Sequence, residues 1–209
     1  MSPNIALFGP YGSGKGTQAR ILKEKFGMSY FDTGEVLRDN VKNETEIGKR
    51  AQEFMNRGDL VSDELIMEVV ADWISRRESI NNLLFDGIPR TLEQAIKFDA
   101  ILKEKNISAK RIFINISEQE SIQRQIGRKI CATCGEIYPY TFKSEVCAKD
   151  EGPLTIRKEN SPEIATKRAG VYKVETMPVI EYYREQGALI EIDGTLPVNK
   201  VTEEILRHI

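Results

Sequence analysis

The sequence predicts an α/β fold: a parallel sheet with helices on both faces and one small β-rich insertion. Three observations carry this. Short apolar runs alternate with helix-period stretches over most of the chain, the pattern of βαβ units. The first apolar run leads into a Gly-rich turn and then straight into a helix. One stretch, from Cys131 to about Glu159, has no helical period and holds all three cysteines.

The elements follow in order. Ile5-Ala6-Leu7-Phe8 is a buried-strand pattern. After the Gly-rich turn, Ala19, Leu22 and Phe26 fall on one helical face, and Gly27 is the stop. Ser62-Asp63-Glu64 opens a second helix, with Leu65/Ile66, Val69/Val70 and Trp73/Ile74 as its core stripe. Leu83-Leu84-Phe85 is the next strand, ended by Asp86-Gly87. Thr91 and Gln94 have capping-box spacing for the helix that follows. Ile112 to Ile116 is a third strand. Ser117 and Glu120 then repeat the capping box, with Ile122 and Ile126 expected on the inner face. Ser161-Pro162 starts a long helix, expected to bend or break near Pro178. Ala188 to Ile192 is a late strand, and Val198 to His208 a final helix.

Composition narrows the chemistry. The 209 residues suit one large domain with small insertions. The charges nearly cancel, 30 basic against 32 acidic, so no nucleic-acid footprint is expected overall. The single histidine, His208, sits beside the C-terminus and argues against Ser-His-Asp, Cys-His and His-rich metal chemistry. The start has no basic leader, and no run reaches the roughly 20 apolar residues of a membrane span. With no export signal and an odd cysteine count, a cytoplasmic, reducing compartment is expected.

The turn after the first strand, Gly9-Pro10-Tyr11-Gly12-Ser13-Gly14-Lys15-Gly16-Thr17, is a phosphate-binding loop pattern. Glycines let successive N–H groups curl inward onto phosphate oxygens, and the following helix adds its positive N-terminus. The bland alternative is a Gly-rich turn without a ligand. The strand before it and the helix after it favour the phosphate loop. A hydroxyl usually follows the lysine directly, but here Gly16 intervenes before Thr17.

With that inserted glycine, Gly-Lys-Gly-Thr-Gln resembles the adenylate kinase branch of the nucleoside monophosphate kinases, and the resemblance runs along nearly the whole chain. Asp32-Thr33-Gly34-Glu35-Val36-Leu37-Arg38 resembles the family's monophosphate-binding stretch. Gly58-Asp59-Leu60-Val61-Ser62-Asp63-Glu64-Leu65 resembles the segment lining the AMP base pocket. Phe85-Asp86-Gly87-Ile88-Pro89-Arg90-Thr91 resembles the family's Asp-Gly-Phe-Pro-Arg signature. Three positions depart from the pattern: Tyr11 stands where a proline is usual, Ile88 replaces a phenylalanine, and Lys158-Glu159-Asn160 follows Arg157 where two aspartates are common.

The resemblance implies a P-loop NTPase-type five-stranded parallel sheet. It implies a core of residues 1–31, 62–127 and 161–209, a helical monophosphate-binding insertion over 32–61, and a lid over 128–160. The implied reaction is transfer of the ATP γ-phosphate to AMP, giving two ADP, by a monomer using Mg²⁺. The implied ATP contacts are Gly12, Ser13, Gly14, Lys15, Gly16, Thr17, Arg128, Ile137, Tyr138 and Leu196. The implied AMP contacts are Thr33, Arg38, Asp59, Leu60, Val61, Gly87, Ile88, Pro89, Arg90, Gln94, Arg157 and Arg168. Lys15, Asp86, Arg90, Arg124, Arg128, Arg157 and Arg168 are implied for catalysis.

The residue types suit that chemistry. An AMP phosphate, with a second pKa of about 6, arrives mostly ionised and needs no histidine base. Phosphoryl transfer needs charge neutralisation and in-line positioning, which arginine supplies. Arg124 and Arg128, spaced i,i+4, are expected to share a helix face. Taken alone they would be a solvated basic stripe, and Arg157 and Arg168 surface arginines. Asp86, at the end of a buried strand, is placed to hold Mg²⁺ through water or to cap its own turn. Gln94 could complete the capping box or pair with adenine; Thr33 could contact the base or cap a helix; Trp73 reads as core.

Cys131-Ala132-Thr133-Cys134 is a knuckle with metal-ligand spacing, and Cys147-Ala148-Lys149-Asp150 follows after twelve residues. Three thiolates and one carboxylate would close a tetrahedral, structural Zn²⁺ site in a lid too small to build its own core. Glu145 and Glu151 compete as fourth ligand; three reduced cysteines without metal are the alternative, and iron–sulfur chemistry fits less well. Two rival functions stand beside the kinase reading: a kinase for UMP/CMP or GMP, and a zinc-ribbon nucleic-acid-binding ATPase. The acids Glu136, Glu145, Asp150 and Glu151 offset Lys129, Lys143 and Lys149, which weakens the latter.

Overall fold

The computed structural model describes residues 3–57, 59–156 and 160–209. β1 (Asn4–Phe8) is buried along its length. Its side chains alternate between faces. Ile5 and Leu7 join one apolar cluster, and Ala6 and Phe8 join the other. α1 (Lys15–Phe26) follows the Gly-rich turn and stops on Gly27 in the left-handed conformation, as the sequence predicts.

β2 (Ser29–Asp32) lies outside the apolar-run pattern. It is an edge strand with only Phe31 fully buried, so it needs no continuous apolar run. α2 (Thr33–Lys42) and α3 (Glu46–Arg57) form a helical pair between β2 and α4, and α4 (Asp63–Ser75) returns to the sheet with the stripe Leu65, Ile66, Val69, Val70 and Ile74 buried. Trp73 is half-buried at the core edge, edge-on to Phe31 and Phe85.

β3 (Leu83–Asp86), α5 (Leu92–Glu104), β4 (Ala109–Asn115) and α6 (Glu118–Ile126) continue the alternation. The inner face of α6 differs from expectation: Ser121 and Gln125 are buried, and Ile122 and Ile126 are half-buried. The reason is a polar partner. Ser121 Oγ donates to the Tyr11 carbonyl at 2.6 Å, so this helix packs on the Gly-rich loop.

β5 (Lys129–Cys131), β6 (Ile137–Tyr138) and β7 (Leu154–Ile156) form a separate antiparallel sheet ordered β6-β5-β7. α7 (Pro162–Val171) and α8 (Met177–Glu185) are joined by a π-helical turn at Tyr172–Thr176. The expected break near Pro178 is therefore a widened turn. Pro178 lacks the N–H that would continue the ladder.

β8 (Leu189–Asp193) and α9 (Val198–Leu206) complete the chain. The main sheet is five-stranded and parallel, in the order β2-β3-β1-β4-β8. Ala19 and Leu22 of α1 and Val201 and Ile205 of α9 pack on one face. Residues of α4, α5 and α8 pack on the other, around Phe31, Phe85, Phe98 and Phe113. This closes the α/β sandwich the sequence predicts.

Candidate active site

The carboxyl ends of β1, β2 and β3 open into a cleft of about 540 Å³, within the range of small-ligand sites. Each wall has a local cause. The turn after β1 curls because Gly12 and Gly14 take positive φ values of 79° and 96°. A side chain at Gly12 would meet Arg124 Cβ at 2.9 Å. The curled loop delivers Lys15 to the first position of α1, with Nζ 3.2 Å from the Pro10 carbonyl.

Burial lowers the Lys15 ammonium below its ordinary range, and Asp86 pulls in the opposite direction. Asp86 ends β3 and is itself buried. Desolvation pushes its carboxyl up to about 6, Lys15 opposes this, and Asp32 adds to it. Tyr30 OH donates to both carboxylates, at 3.1 Å each. A crowded, desolvated carboxylate at a strand end suits a divalent cation's hydration shell.

Lys15, Arg38, Arg90, Arg128 and Arg168 all line this one cleft. Arg90 is held from two sides: Nε donates to the Gly87 carbonyl and Nη1 to the Tyr11 hydroxyl, both at 2.8 Å. Arg128 does not share a helix face with Arg124, because α6 stops at Ile126 and Gly127 caps it. Arg124 instead ties the loops together: it pairs with Glu120 at 2.6 Å and donates to the carbonyls of Gly12 and Gly194. Arg157 and Gly58 lie outside the described residues.

At the far end, Thr33, Asp59, Leu60, Val61, Gly87 and Gln94 also line the cleft. Thr33 is not the cap of α2. Asp32 is, accepting from Glu35 N at 2.8 Å, which leaves the Thr33 hydroxyl donating to the carbonyls of Asp86 and Gly87. Thr91 caps α5 by accepting from Gln94 N. The Gln94 amide does not close the box on Thr91. It accepts from Arg90 N at 2.8 Å and donates to Asp63 at 2.7 Å. Among the described residues, one amide N–H of Gln94 stays uncommitted. Ile88 points into the core, and Pro89 lines a small neighbouring cavity with Tyr11 and Tyr172.

Of the nucleotide-side residues, Lys15, Gly16, Arg128 and Ile137 line the cleft. Ser13 is buried in the loop, and Thr17 lies in the first turn of α1. Leu196 is exposed on the turn after β8, near the Gly194 carbonyl that Arg124 holds. Tyr138 is turned away: its ring stacks on Phe142 in the lid and its hydroxyl sits 3.1 Å from Cys147 Sγ. Sequence reasoning did not single out Tyr30 or Asn56. An aromatic two residues before Asp32, on the same side of a short edge strand, was the one available signal for Tyr30.

In the lid, one ligand atom from each of Cys131, Cys134, Cys147 and Asp150 lies within 4.8 Å of all the others. The two knuckles turn backbone amides onto the sulfurs: Thr133 N and Cys134 N onto Cys131, and Lys149 N onto Cys147. Gly152 N fixes the Asp150 carboxylate at 3.0 Å. Glu145 is drawn off by Lys129 at 2.6 Å, and Glu151 is not part of the cluster. Three sulfurs and one carboxylate in this arrangement fit a closed tetrahedral metal site.

The adenylate kinase family model matches residues 7–188. The chain belongs to the adenylate kinase family. An adenylate kinase of Clostridioides difficile is 39% identical over 97% of this chain and 96% of its own length. That of Caldicellulosiruptor bescii is 38% identical over 97% of each. That of Archaeoglobus fulgidus is 37% identical over 97% of this chain and 95% of its own. ATP:AMP phosphotransfer is the activity of this adenylate kinase family member, with adenine nucleotides as its substrates. No helix among the described residues is long and apolar enough to cross a membrane.

Proposed function

We propose that the chain moves the γ-phosphoryl group of ATP to AMP, and back, by electrostatic clamping alone, without a general base. The observation that carries this is the convergence of Lys15, Arg38, Arg90, Arg128 and Arg168 on one cleft. In this reading the loop amides of Gly12 to Thr17 and the Lys15 ammonium hold the ATP phosphates. Ile137 and Leu196 flank the ATP adenine. Arg38 and Arg90 hold the AMP phosphate, while Arg128, Arg157 and Arg168 span both nucleotides. Arg124 acts by fixing the loop.

Thr33, Asp59, Leu60, Val61 and Gln94 enclose the acceptor base, and the free N–H of Gln94 supplies a donor to it. The AMP phosphate is its own nucleophile, already ionised at neutral pH. The clamp offsets the charge of two phosphate chains and holds them in line. Mg²⁺ brought with ATP would supply further charge neutralisation, and Asp86 is the residue that would hold it through water.

The segment 32–61 closes on AMP, and the lid 128–160 closes on ATP and keeps water away from the transfer. Zn²⁺ on Cys131, Cys134, Cys147 and Asp150 holds that lid as one piece. The same reading makes the protein a cytoplasmic monomer whose partners are nucleotides, not nucleic acid or membrane. Initial rates of ADP formation with AMP, CMP, UMP and GMP test it. AMP is expected to give the highest rate; a higher rate with another base overturns the acceptor assignment.

A further inference from the structure

Tyr11 occupies the loop position where the resembled family usually carries a proline. A proline there offers neither an aromatic ring nor a hydroxyl. In this chain the ring lies among three cations: the Arg168 guanidinium is 4.9 Å from its centroid, Lys15 Nζ 5.5 Å and the Arg90 guanidinium 5.6 Å. Its hydroxyl accepts from Arg90 Nη1 at 2.8 Å. The backbone beneath the ring is pinned by Ser121 Oγ on the Tyr11 carbonyl at 2.6 Å. Gly12, next in the chain, is pressed against Arg124. The backbone that carries the ring is thus held by residues other than the three cations. It also lines both the main cleft and the small cavity beside it, at the junction of the loop with the Gly87–Arg90 turn.

We propose that Tyr11 is a positioning residue of the transfer reaction. Its ring face gathers Arg168, Arg90 and Lys15 against mutual repulsion, and its hydroxyl sets the Arg90 fork on the acceptor phosphate. Three like charges within one ring's reach repel each other, and an aromatic face is one of few uncharged groups that attracts all of them. The hydroxyl does the directional part. Arg90 Nε is fixed on the Gly87 carbonyl, so the Nη1 bond to Tyr11 leaves the guanidinium a single plane. The electrostatics agree. Burial alone would raise the phenol, but Arg90, Arg168 and Lys15 together bring it below the ordinary tyrosine value.

The inference rests on the proposed assignment of Arg90 to the acceptor phosphate. Three variants test the two separately: Tyr11→Phe, Tyr11→Ala and Arg90→Ala. Each is assayed for kcat and for KM towards both nucleotides, with melting temperature as the folding control. Tyr11→Phe keeps the ring and loses the hydrogen bond; KM for AMP should rise about fivefold, with KM for ATP within about twofold. Tyr11→Ala also loses the ring, and kcat/KM for AMP should fall by a further factor of about ten. Arg90→Ala should raise KM for AMP more than either.

An Arg90→Ala variant with parental KM for AMP overturns the acceptor assignment and the inference with it. A normal Arg90 response beside a Tyr11→Phe variant with parental constants overturns the inference alone. A tyrosine that only fills space would lower the melting temperature in Tyr11→Ala and leave both KM values alone, which also overturns it. Absorbance titration at 295 nm gives a second readout that should survive poor activity. The parent minus Tyr11→Phe difference should show one phenol ionising below the ordinary value of about 10, and its absence counts against the three-cation setting.

Discussion

Lys15 owes its place to two glycines and its environment to one carboxylate. Gly12 and Gly14 bend the loop through backbone angles that other residues rarely adopt, and the bend delivers the ammonium beside Asp86. The glycine pattern and the lysine were legible in the sequence because backbone curvature of this kind demands particular residue types. The hydrogen-bond partners of polar side chains were not. Asp32 rather than Thr33 caps α2, and Gln94 spends its amide on Arg90 and Asp63, because several acceptors compete within reach and only packing chooses between them. Tyr138 turned to Cys147 for the same reason. Lys15→Ala should reduce kcat by about a thousandfold, the scale of losing one preorganised transition-state charge. The circular dichroism spectrum and melting temperature should stay near the parent's. A coupled ADP assay checks this; turnover within tenfold of the parent would remove Lys15 from the clamp.

Among the elements, apolar runs located β1, β3, β4 and the edge strand β8, whose Leu189, Ile190 and Ile192 make such a run, and missed β2, which has none. β1, β3, β4 and α4 were legible because their side chains face a core. β2 escaped because an edge strand buries only Phe31 fully, and α6 misled because its inner face meets a polar loop rather than a core. The small antiparallel sheet was legible as a β-rich insertion that interrupts the helical pattern, without its strand pairing. Its cluster of buried residues is small: Cys131, Tyr138 and Cys147, with Phe142 and Leu154 half-buried. Three short strands with so little apolar burial need another source of stability, and the sulfur cluster sits where one would act. Two of its donors lie in or beside β5, so a metal there would tie the knuckles to the sheet. Chelation of the metal should therefore lower the melting temperature by roughly 5 °C or more, and Cys131→Ser should do the same without chelator. The chelator should then have no further effect on the variant. Elemental analysis finding no zinc in the parent, or a chelator that lowers the variant as much as the parent, would sink the structural-zinc reading.

Over the whole molecule, the cleft is walled by segments far apart in the chain. Lys15 comes from α1, Arg38 from α2, Arg128 from the turn after α6, Ile137 from β6 and Arg168 from α7. Their convergence follows from the strand order β2-β3-β1-β4-β8, which sets the β1, β2 and β3 ends side by side. That order was not legible in the sequence, since periodicity gives strands but not neighbours; the resemblance implied only five parallel strands. Ion pairs tie the peripheral segments to the core. Lys167 of α7 holds Asp59 at 2.6 Å, and Arg20 of α1 holds Glu136 of the lid at 2.8 Å. The Arg20–Glu136 pair is half-exposed, so its contribution falls in the range of about 0.2–1 kcal/mol. That is small for stability but enough to shift a lid between positions of similar energy. Glu136→Gln removes the charge and keeps the shape. With lid closure coupled to ATP binding, KM for ATP should rise by up to about fivefold while KM for AMP stays within about twofold. Raising ionic strength to about 0.5 M should bring parent and variant together, because screening weakens the pair in the parent and has no pair to weaken in the variant. A difference that persists unchanged at high salt would mean that Glu136 acts on ATP by some route other than Arg20.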